Sequence, residues 1–129
     1  MLKISQIHHI AIICSNYEKS KQFYTQVLDF EIEAEVFREA RNSWKLDLKV
    51  AGQYQIELFS FPDPAPRPSR PEACGLRHLA FAVDDLDEAI LFLSTKNVQT
   101  EPIRVDKFTG KRFTFFADPD GLPLELYKV

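Results

Sequence analysis

The stretches HHIAII (residues 8–13) and RHLAFA (residues 77–82) decide how the rest of this chain is interpreted. Each is a short apolar run with a histidine at or next to its first position, and each leads into a signal for the start of a helix. The two lie about half the chain apart, and IELF (residues 56–59) and LELY (residues 124–127) repeat at nearly the same spacing. A repeat of this kind predicts two copies of one structural unit.

Length and composition favour one domain of ordinary charge. The chain has 129 residues, of which 45% are hydrophobic and 27% are charged, and its net charge is −3. That balance gives no reason to expect nucleic acid or a membrane surface as a partner. The two cysteines lack the spacing of a zinc finger, and neither a signal peptide nor an apolar run of membrane length is visible. We therefore expect a cytoplasmic protein with reduced thiols.

The first half, residues 1–61, is predicted to be a βαβββ module. An apolar run predicts a strand at 5–14, and helical spacing follows at 17–28. Ser15 and Asn16 can cap that helix, and Ser15 and Glu18 have the spacing of a capping box. Three more strands are predicted at 30–38, 44–50 and 53–61.

The second half, residues 76–129, repeats this plan after a proline-rich linker at residues 62–75. Neither a helix interior nor a central strand can run through so many prolines. Asp85 is the predicted cap of the helix, whose buried face is predicted to hold Ala89, Ile90, Phe92 and Leu93. Strands are predicted at 76–83, 100–105, 112–117 and 122–127. The predicted fold class is α+β, with paired βαβββ modules whose curved mixed sheets surround a metal cavity.

Each half carries a histidine near its start and a glutamate near its end. Strand alternation places His9 and Glu57 opposite the apolar face that a helix covers, and His78 and Glu125 repeat that arrangement. Buried imidazoles and carboxylates are costly without partners, and a shared cation removes that cost. Two nitrogen and two oxygen ligands suit Zn²⁺, Ni²⁺, Co²⁺, Fe²⁺ or Mn²⁺. We therefore predict that these four side chains bind one divalent metal.

Other polar residues are weaker candidates. His8 has the opposite parity and is predicted to be structural, on the face that the helix covers. Arg112 and Lys111 are predicted to grip an anionic group of the substrate, because they enter the strand before the one that carries Glu125. The many phenylalanines are assigned to the core, with one or two lining a pocket. No nucleophile motif or glycine-rich phosphate loop is present.

Three segments of the sequence resemble the vicinal oxygen chelate superfamily, which includes glyoxalase I, bleomycin-resistance proteins, fosfomycin-resistance enzymes and extradiol dioxygenases. They are HHIAIICSNYEKSKQFYTQVLDF, LRHLAFAVDDLDEA and FFADPDGLPLELY. The resemblance covers nearly the whole chain. It implies His9, Glu57, His78 and Glu125 as first to fourth metal ligands. This set is similar to that of glyoxalase I, whereas dioxygenases and fosfomycin enzymes typically use two histidines and one glutamate.

The resemblance to glyoxalase I implies a lyase or isomerase with one metal ion per site, Ni, Co or Zn, with Fe or Mn as further options. The implied substrate is the hemithioacetal of a 2-oxoaldehyde, which becomes a hydroxyacyl thioester. Glu125 is the implied base and Glu57 the second catalytic carboxylate. A homodimer is also implied, with each metal held within one chain or between two.

Two positions depart from the glyoxalase pattern and leave the substrate open. Short bacterial glyoxalases typically carry an arginine at the position of Ile13, and they often carry an asparagine at that of Phe61. Both replacements exchange polar glutathione contacts for apolar ones, so Ile13 and Phe61 are expected to line the substrate pocket. The alternatives are an iron-dependent dioxygenase and a non-catalytic, resistance-type protein that binds a small molecule without metal.

Overall fold

The structure, a computed structural model, describes residues 1–129 and divides into two compact units, Met1–Ala65 and Pro66–Val129. Each unit holds one four-stranded mixed sheet and few helices, which confirms the predicted α+β class. The division between the units falls within the proline-rich stretch, where no helix or strand forms. None of the helices has the length and apolar character needed to cross a bilayer.

The first unit has the strand order β1-β4-β3-β2, with β1 parallel to β4 and the other neighbours antiparallel. A parallel pair needs a crossover connection, which the helical segment begins. The elements are β1 (Ile10–Cys14), α1 (Tyr17–Gln22), a π-helical turn (Phe23–Val27), β2 (Glu31–Arg38), a 3-10 turn (Glu39–Arg41), β3 (Ser43–Val50) and β4 (Gln53–Ser60).

The start of the first unit differs from the prediction in two details. Strand β1 begins at Ile10 rather than at residue 5, because the preceding residues pair with no strand and Ile7 is exposed. Helix α1 is capped by Asn16, whose side-chain oxygen accepts a hydrogen bond from the Lys19 N–H at 3.1 Å. Asn16 is thus confirmed as a capping residue, whereas the capping box predicted from Ser15 and Glu18 starts one residue too early.

The second unit has the strand order β5-β8-β7-β6, with β5 parallel to β8. Its helix is capped by Asp85, which accepts a hydrogen bond from the Glu88 N–H at 2.9 Å, as predicted. The elements are β5 (Leu79–Val83), α2 (Leu86–Thr95), β6 (Arg104–Val105), β7 (Arg112–Ala117) and β8 (Pro123–Lys128). Strand β6 is shorter than predicted, and the residues before it join β7 through the hydrogen bond from the Glu101 N–H to the Phe115 carbonyl at 2.8 Å.

Helix α2 buries a narrower stripe than its sequence predicts. Leu86 and Leu93 are buried, and Ala89 and Ile90 are half-buried between them. Phe92 is 46% exposed, and the Lys96 ammonium lies 5.7 Å from the centre of its ring. The prediction that Phe92 is buried was wrong, because one residue along an α-helix is a rotation of about 100°, which turns Phe92 away from the line through Leu86 and Leu93.

Candidate metal centre

In the first unit a histidine and a glutamate meet at the start of the parallel strand pair. Glu57 of β4 pairs with Ala11 of β1, and His9 stands two residues before that alanine. Nε2 of His9 lies 3.5 Å from Oε2 of Glu57. The side chain of Glu57 is 12% exposed and that of His9 is 39% exposed. A carboxylate this deeply buried needs a partner, and the imidazole is one.

The second unit repeats this arrangement. Glu125 of β8 pairs with Ala80 of β5, and His78 stands two residues before that alanine. Nε2 of His78 lies 3.0 Å from Oε2 of Glu125. The other ring nitrogen of His78, Nδ1, is buried without a hydrogen-bond partner. The His78 ring packs edge-on against Phe115, which pairs with Glu125 across the sheet.

Side chains alternate along β4 and β8 as predicted, with each glutamate on one face of its sheet and its apolar neighbours on the other. The apolar residues on either side of each glutamate are turned to the opposite, buried face of the sheet and are at most 6% exposed: Ile56, Leu58, Leu124 and Leu126. The glutamates therefore share a face of the sheet with the alanines of β1 and β5, and the helices do not cover this face.

Three side chains near Glu57 were not predicted from the sequence. Asp47 of β3 lies directly across from Glu57. The ammonium of Lys45 lies 2.6 Å from a carboxylate oxygen of Asp47 and 3.6 Å from Oε2 of Glu57. The hydroxyl of Tyr54 donates a hydrogen bond to Oε2 of Glu57. Burial, and to a smaller extent this hydrogen bond, raises the pKa of the Tyr54 phenol, so the phenol stays protonated and acts as a hydrogen-bond donor.

The two units differ at the position opposite the glutamate. Asp47 occupies it in the first unit and Phe115 occupies it in the second. The His9–Glu57 pair is consequently surrounded by ionic and phenolic groups, whereas the His78–Glu125 pair lies against an aromatic ring.

His8 does not lie beneath the helix, so its predicted placement was wrong. It is exposed, and its Nδ1 lies 2.8 Å from Nδ1 of His9. Its ring also lies near that of Tyr54, with the centres 5.6 Å apart. Because β1 starts only at Ile10, strand alternation does not extend back to residue 8.

Of the predicted substrate contacts, Ile13 and Phe61 reach the face that carries Glu57. Ile13 is 56% exposed and pairs with Phe59 of β4. Phe61 stacks on Phe59, with ring centres 6.1 Å apart. The guanidinium of Arg38 lies 5.7 Å from the centre of the Phe61 ring, which adds a cation to this apolar surface.

Arg112 and Lys111 are not brought to the face that carries Glu125. Arg112 has the parity of the buried Thr114 and forms an ion pair with Asp87 of α2, at 3.1 Å. Lys111 is exposed just before β7, where its N–H donates to the side-chain oxygen of Thr109.

The donors in each unit fit a divalent cation. Two ligands about 2.1 Å from one ion lie about 3.0 to 3.4 Å apart at octahedral or tetrahedral angles. The two imidazole–carboxylate spacings, 3.5 Å and 3.0 Å, are close to these values. No three His, Cys, Asp or Glu side chains form a metal-binding group. Each unit thus offers two ligands, one imidazole and one carboxylate.

Comparison with known proteins places this geometry in a family. Residues 6–126 match the family model of the Glyoxalase/Bleomycin resistance protein/Dioxygenase superfamily. The uncharacterized protein YaeR of Escherichia coli (strain K12) is 65% identical over 128 residues, 99% of either chain. The crystal structure of a glyoxalase family protein from Enterococcus faecalis has a TM-score of 0.89 at 53% identity, covering 95% of this chain and 97% of that one.

More distant similarities extend to proteins with different activities. A 2-epi-5-epi-valiolone epimerase from Actinomyces sp is 28% identical over 95% of this chain and 79% of its own length. The fosfomycin resistance protein FosX of Listeria monocytogenes, in a mutant form crystallised with Mn(II) and a dihydroxypropylphosphonic acid, shares the fold. Its TM-score is 0.75 at 21% identity, over 98% of this chain and 94% of that one. The chain therefore belongs to the glyoxalase/bleomycin resistance protein/dioxygenase superfamily, also called the vicinal oxygen chelate superfamily, as its repeated motifs predicted.

Proposed function

We propose that this protein is a metal-dependent enzyme that isomerises or cleaves a small substrate able to chelate the metal through adjacent oxygens, in the manner of glyoxalase I. His9, Glu57, His78 and Glu125 are the proposed ligands. The observation that supports this most is the repeated contact between a histidine Nε2 and a buried glutamate Oε2, once in each unit. Because each unit offers two ligands and metal sites use three or four, both pairs are needed for a site.

A bound Ni²⁺, Co²⁺ or Zn²⁺ ion would act as a Lewis acid that stabilises negative charge on adjacent substrate oxygens. Glu125 is the proposed base. Its side chain is 11% exposed and lies between His78 and Phe115, where water has little access. Because Oε2 is directed towards His78, the other carboxylate oxygen is the one proposed to take a proton from one substrate carbon and return it to the neighbouring carbon.

Glu57 is proposed to act as a metal ligand of fixed orientation rather than as a base that moves a proton. Its Oε2 accepts a hydrogen bond from Tyr54 and lies 3.6 Å from the Lys45 ammonium, so the carboxylate is oriented from two directions. Partners of this kind fix the orientation of a ligand and tune its basicity.

Ile13 and Phe61 are proposed to contact the apolar part of the substrate. Both lie on the uncovered side of the first sheet. The resemblance to short glyoxalases implies polar glutathione contacts at these two positions. An apolar surface favours a substrate that lacks the polar peptide of glutathione, because unpaired peptide groups are costly to desolvate.

A turnover assay on the full chain tests this proposal. The protein is loaded with Ni²⁺, Co²⁺ or Zn²⁺ and given methylglyoxal with either glutathione or a small apolar thiol, and thioester formation is followed. We expect metal-dependent turnover that is faster with the apolar thiol. Glu125→Gln should lower kcat at least about a hundredfold. Glu31→Gln removes the same charge from an exposed edge-strand side chain and should leave kcat unchanged.

Different outcomes identify the alternatives. Absence of thioester with every metal contradicts the glyoxalase I-like reaction proposed here. Consumption of O₂ with a catechol by the iron-loaded protein would indicate a dioxygenase, and tight binding of a small molecule by metal-free protein would indicate a resistance-type binder.

We also propose that the protein is a cytoplasmic homodimer. Exposed apolar side chains on the second unit, which contact with a second copy would remove from water, support the dimer, among them Leu91, Val105 and Phe108, which are 66%, 59% and 99% exposed. Sedimentation equilibrium tests the dimer, and a monomer at micromolar concentration contradicts it.

A further inference from the structure

The second unit contains a cavity of about 680 Å³ beside His78. This volume lies within the range of small-molecule sites. Its polar wall is dominated by charged side chains, four arginines and two glutamates: Arg67, Arg70, Arg77, Arg104, Glu72 and Glu101. A cluster of this composition is the feature of the molecule that neither the metal ligands nor the core explains.

Two of the four arginines are neutralised by the two glutamates. Arg77 forms an ion pair with Glu72 at 2.8 Å, and Arg104 forms one with Glu101 at 3.3 Å. These pairs leave the other two guanidinium groups of the cavity without a carboxylate.

Arg67 and Arg70 carry the positive charge that remains. A terminal nitrogen of Arg67 donates to the main-chain oxygens of Leu76 and Arg77, which orient the guanidinium without neutralising it. Nε of Arg67 is buried and has no hydrogen-bond partner. Arg70 is exposed on the cavity wall.

The charged wall lies close to the proposed metal ligand. The Arg104 guanidinium lies 5.2 Å from the centre of the Phe115 ring, and the His78 ring lies 5.1 Å from the same ring. His78 itself lines the cavity, so a compact substrate bound there can reach both the arginines and the proposed metal ligand.

We propose that this cavity binds a doubly charged phosphate-monoester or phosphonate group of the substrate. Two guanidinium groups without carboxylate partners match the charge of a dianion, and arginine binds tetrahedral oxyanions with two parallel hydrogen bonds. That this anion belongs to the substrate rests on the proposed function. The anion site itself lies wholly within the second unit and needs no metal.

Titration of the metal-free full chain at pH 8 and fixed ionic strength tests the site, with amide chemical shifts as the readout. The probes are inorganic phosphate, methylphosphonate and acetate. We expect the two dianions to shift the amides of Gln99 and Thr100, which line the cavity, and to bind at least about fivefold more tightly than acetate. Equal affinity for acetate, or no shift at these amides, would overturn the assignment.

Matched arginine variants locate the binding. Arg70→Gln should weaken phosphate binding about fivefold or more, and Arg104→Gln should weaken it to a smaller extent because Glu101 already neutralises that charge. Arg112→Gln makes the same change of net charge on the opposite face of β7 and should leave affinity unchanged within about twofold.

Equal weakening by Arg112→Gln and Arg70→Gln would show a general charge effect and overturn the proposal. Because these titrations contain no metal, their outcome is independent of whether the histidines and glutamates bind one.

Discussion

His78 and Glu125 contact each other through Nε2 and Oε2 at 3.0 Å, and they do so because β5 runs parallel to β8. Parallel pairing sets Ala80 beside Glu125, and the residue two positions earlier then reaches the same carboxylate. The same register relates β1 to β4 and produces the His9–Glu57 contact. Duplicated strand topology thus yields one imidazole–carboxylate pair at the corresponding position of each unit.

Glu125→Gln distinguishes two effects on stability, the destabilisation from burying a carboxylate and the stabilisation from a bound metal. In chelator-treated protein we expect the variant to be as stable as wild type or up to about 1 kcal/mol more stable, because a neutral amide is cheaper to bury than a carboxylate. Adding Ni²⁺ should raise the Tm of wild type and not that of the variant. Thermal unfolding with and without metal measures both effects, and an equal rise in Tm for both proteins would contradict the proposed role of Glu125.

Tyr54→Phe tests whether the hydrogen bond to Glu57 orients a metal ligand. Loss of such a partner typically weakens metal binding by a factor of 10 or more, so we expect about a tenfold higher Kd for Ni²⁺. The metal-free protein should lose no more than about 1.5 kcal/mol of stability. Tyr127→Phe is the matched control, since the Tyr127 hydroxyl donates to Asp106, which is not a proposed ligand. Equal metal affinity in Tyr54→Phe and wild type would show that the contact is only structural.

Glu35 should contribute acid-sensitive stability to the first unit. The Lys21 ammonium and then the Tyr17 hydroxyl hydrogen-bond to Glu35 and hold the pKa of its carboxyl below the ordinary value of 4.5. A folded-state pKa below the unfolded one means that the contribution is complete well above pH 4.5 and is lost as pH falls through the folded value. Between about pH 5 and about pH 3, wild type should therefore lose more free energy of unfolding than Glu35→Gln.

Urea unfolding across that interval measures the difference. Glu39→Gln removes an exposed carboxylate from the 3-10 turn and serves as the control, which should lose stability in parallel with wild type. A Glu35→Gln profile that coincides with the wild-type profile would contradict the contribution of Glu35.

The alternation of residues along each strand and the internal repeat of the sequence made the strand faces and the candidate ligands predictable. A period of two along each strand is sufficient to place Glu57 and Glu125 opposite the buried residues, and the repeat singles out His9 and His78. Asp47 was missed because its position opposite Glu57 depends on the register between β3 and β4, which contains a shift at Leu48/Lys49. A single sequence without pairing information does not determine that register.

The errors in the prediction also have local physical causes. Arg112 was chosen for its nearness in sequence to the strand that carries Glu125, although its parity with Thr114 turns it towards Asp87 of α2. His8 was assigned by extending strand alternation beyond the first paired residue, Ile10. Phe92 was assigned to the buried face by hydrophobicity, although it lies off the stripe between Leu86 and Leu93.

Metal content per chain is the most direct test of whether the two imidazole–carboxylate pairs share one ion. Wild type, Glu57→Gln and Glu125→Gln, each saturated with Ni²⁺ and freed of excess metal, are compared by elemental analysis, with Glu31→Gln as the control. We predict about one ion per chain in wild type and in the control, and loss of nearly all of it in either of the other variants, although they change different units. Two ions per chain in wild type, or metal retained after substitution in one of the units, would contradict a site built from both pairs.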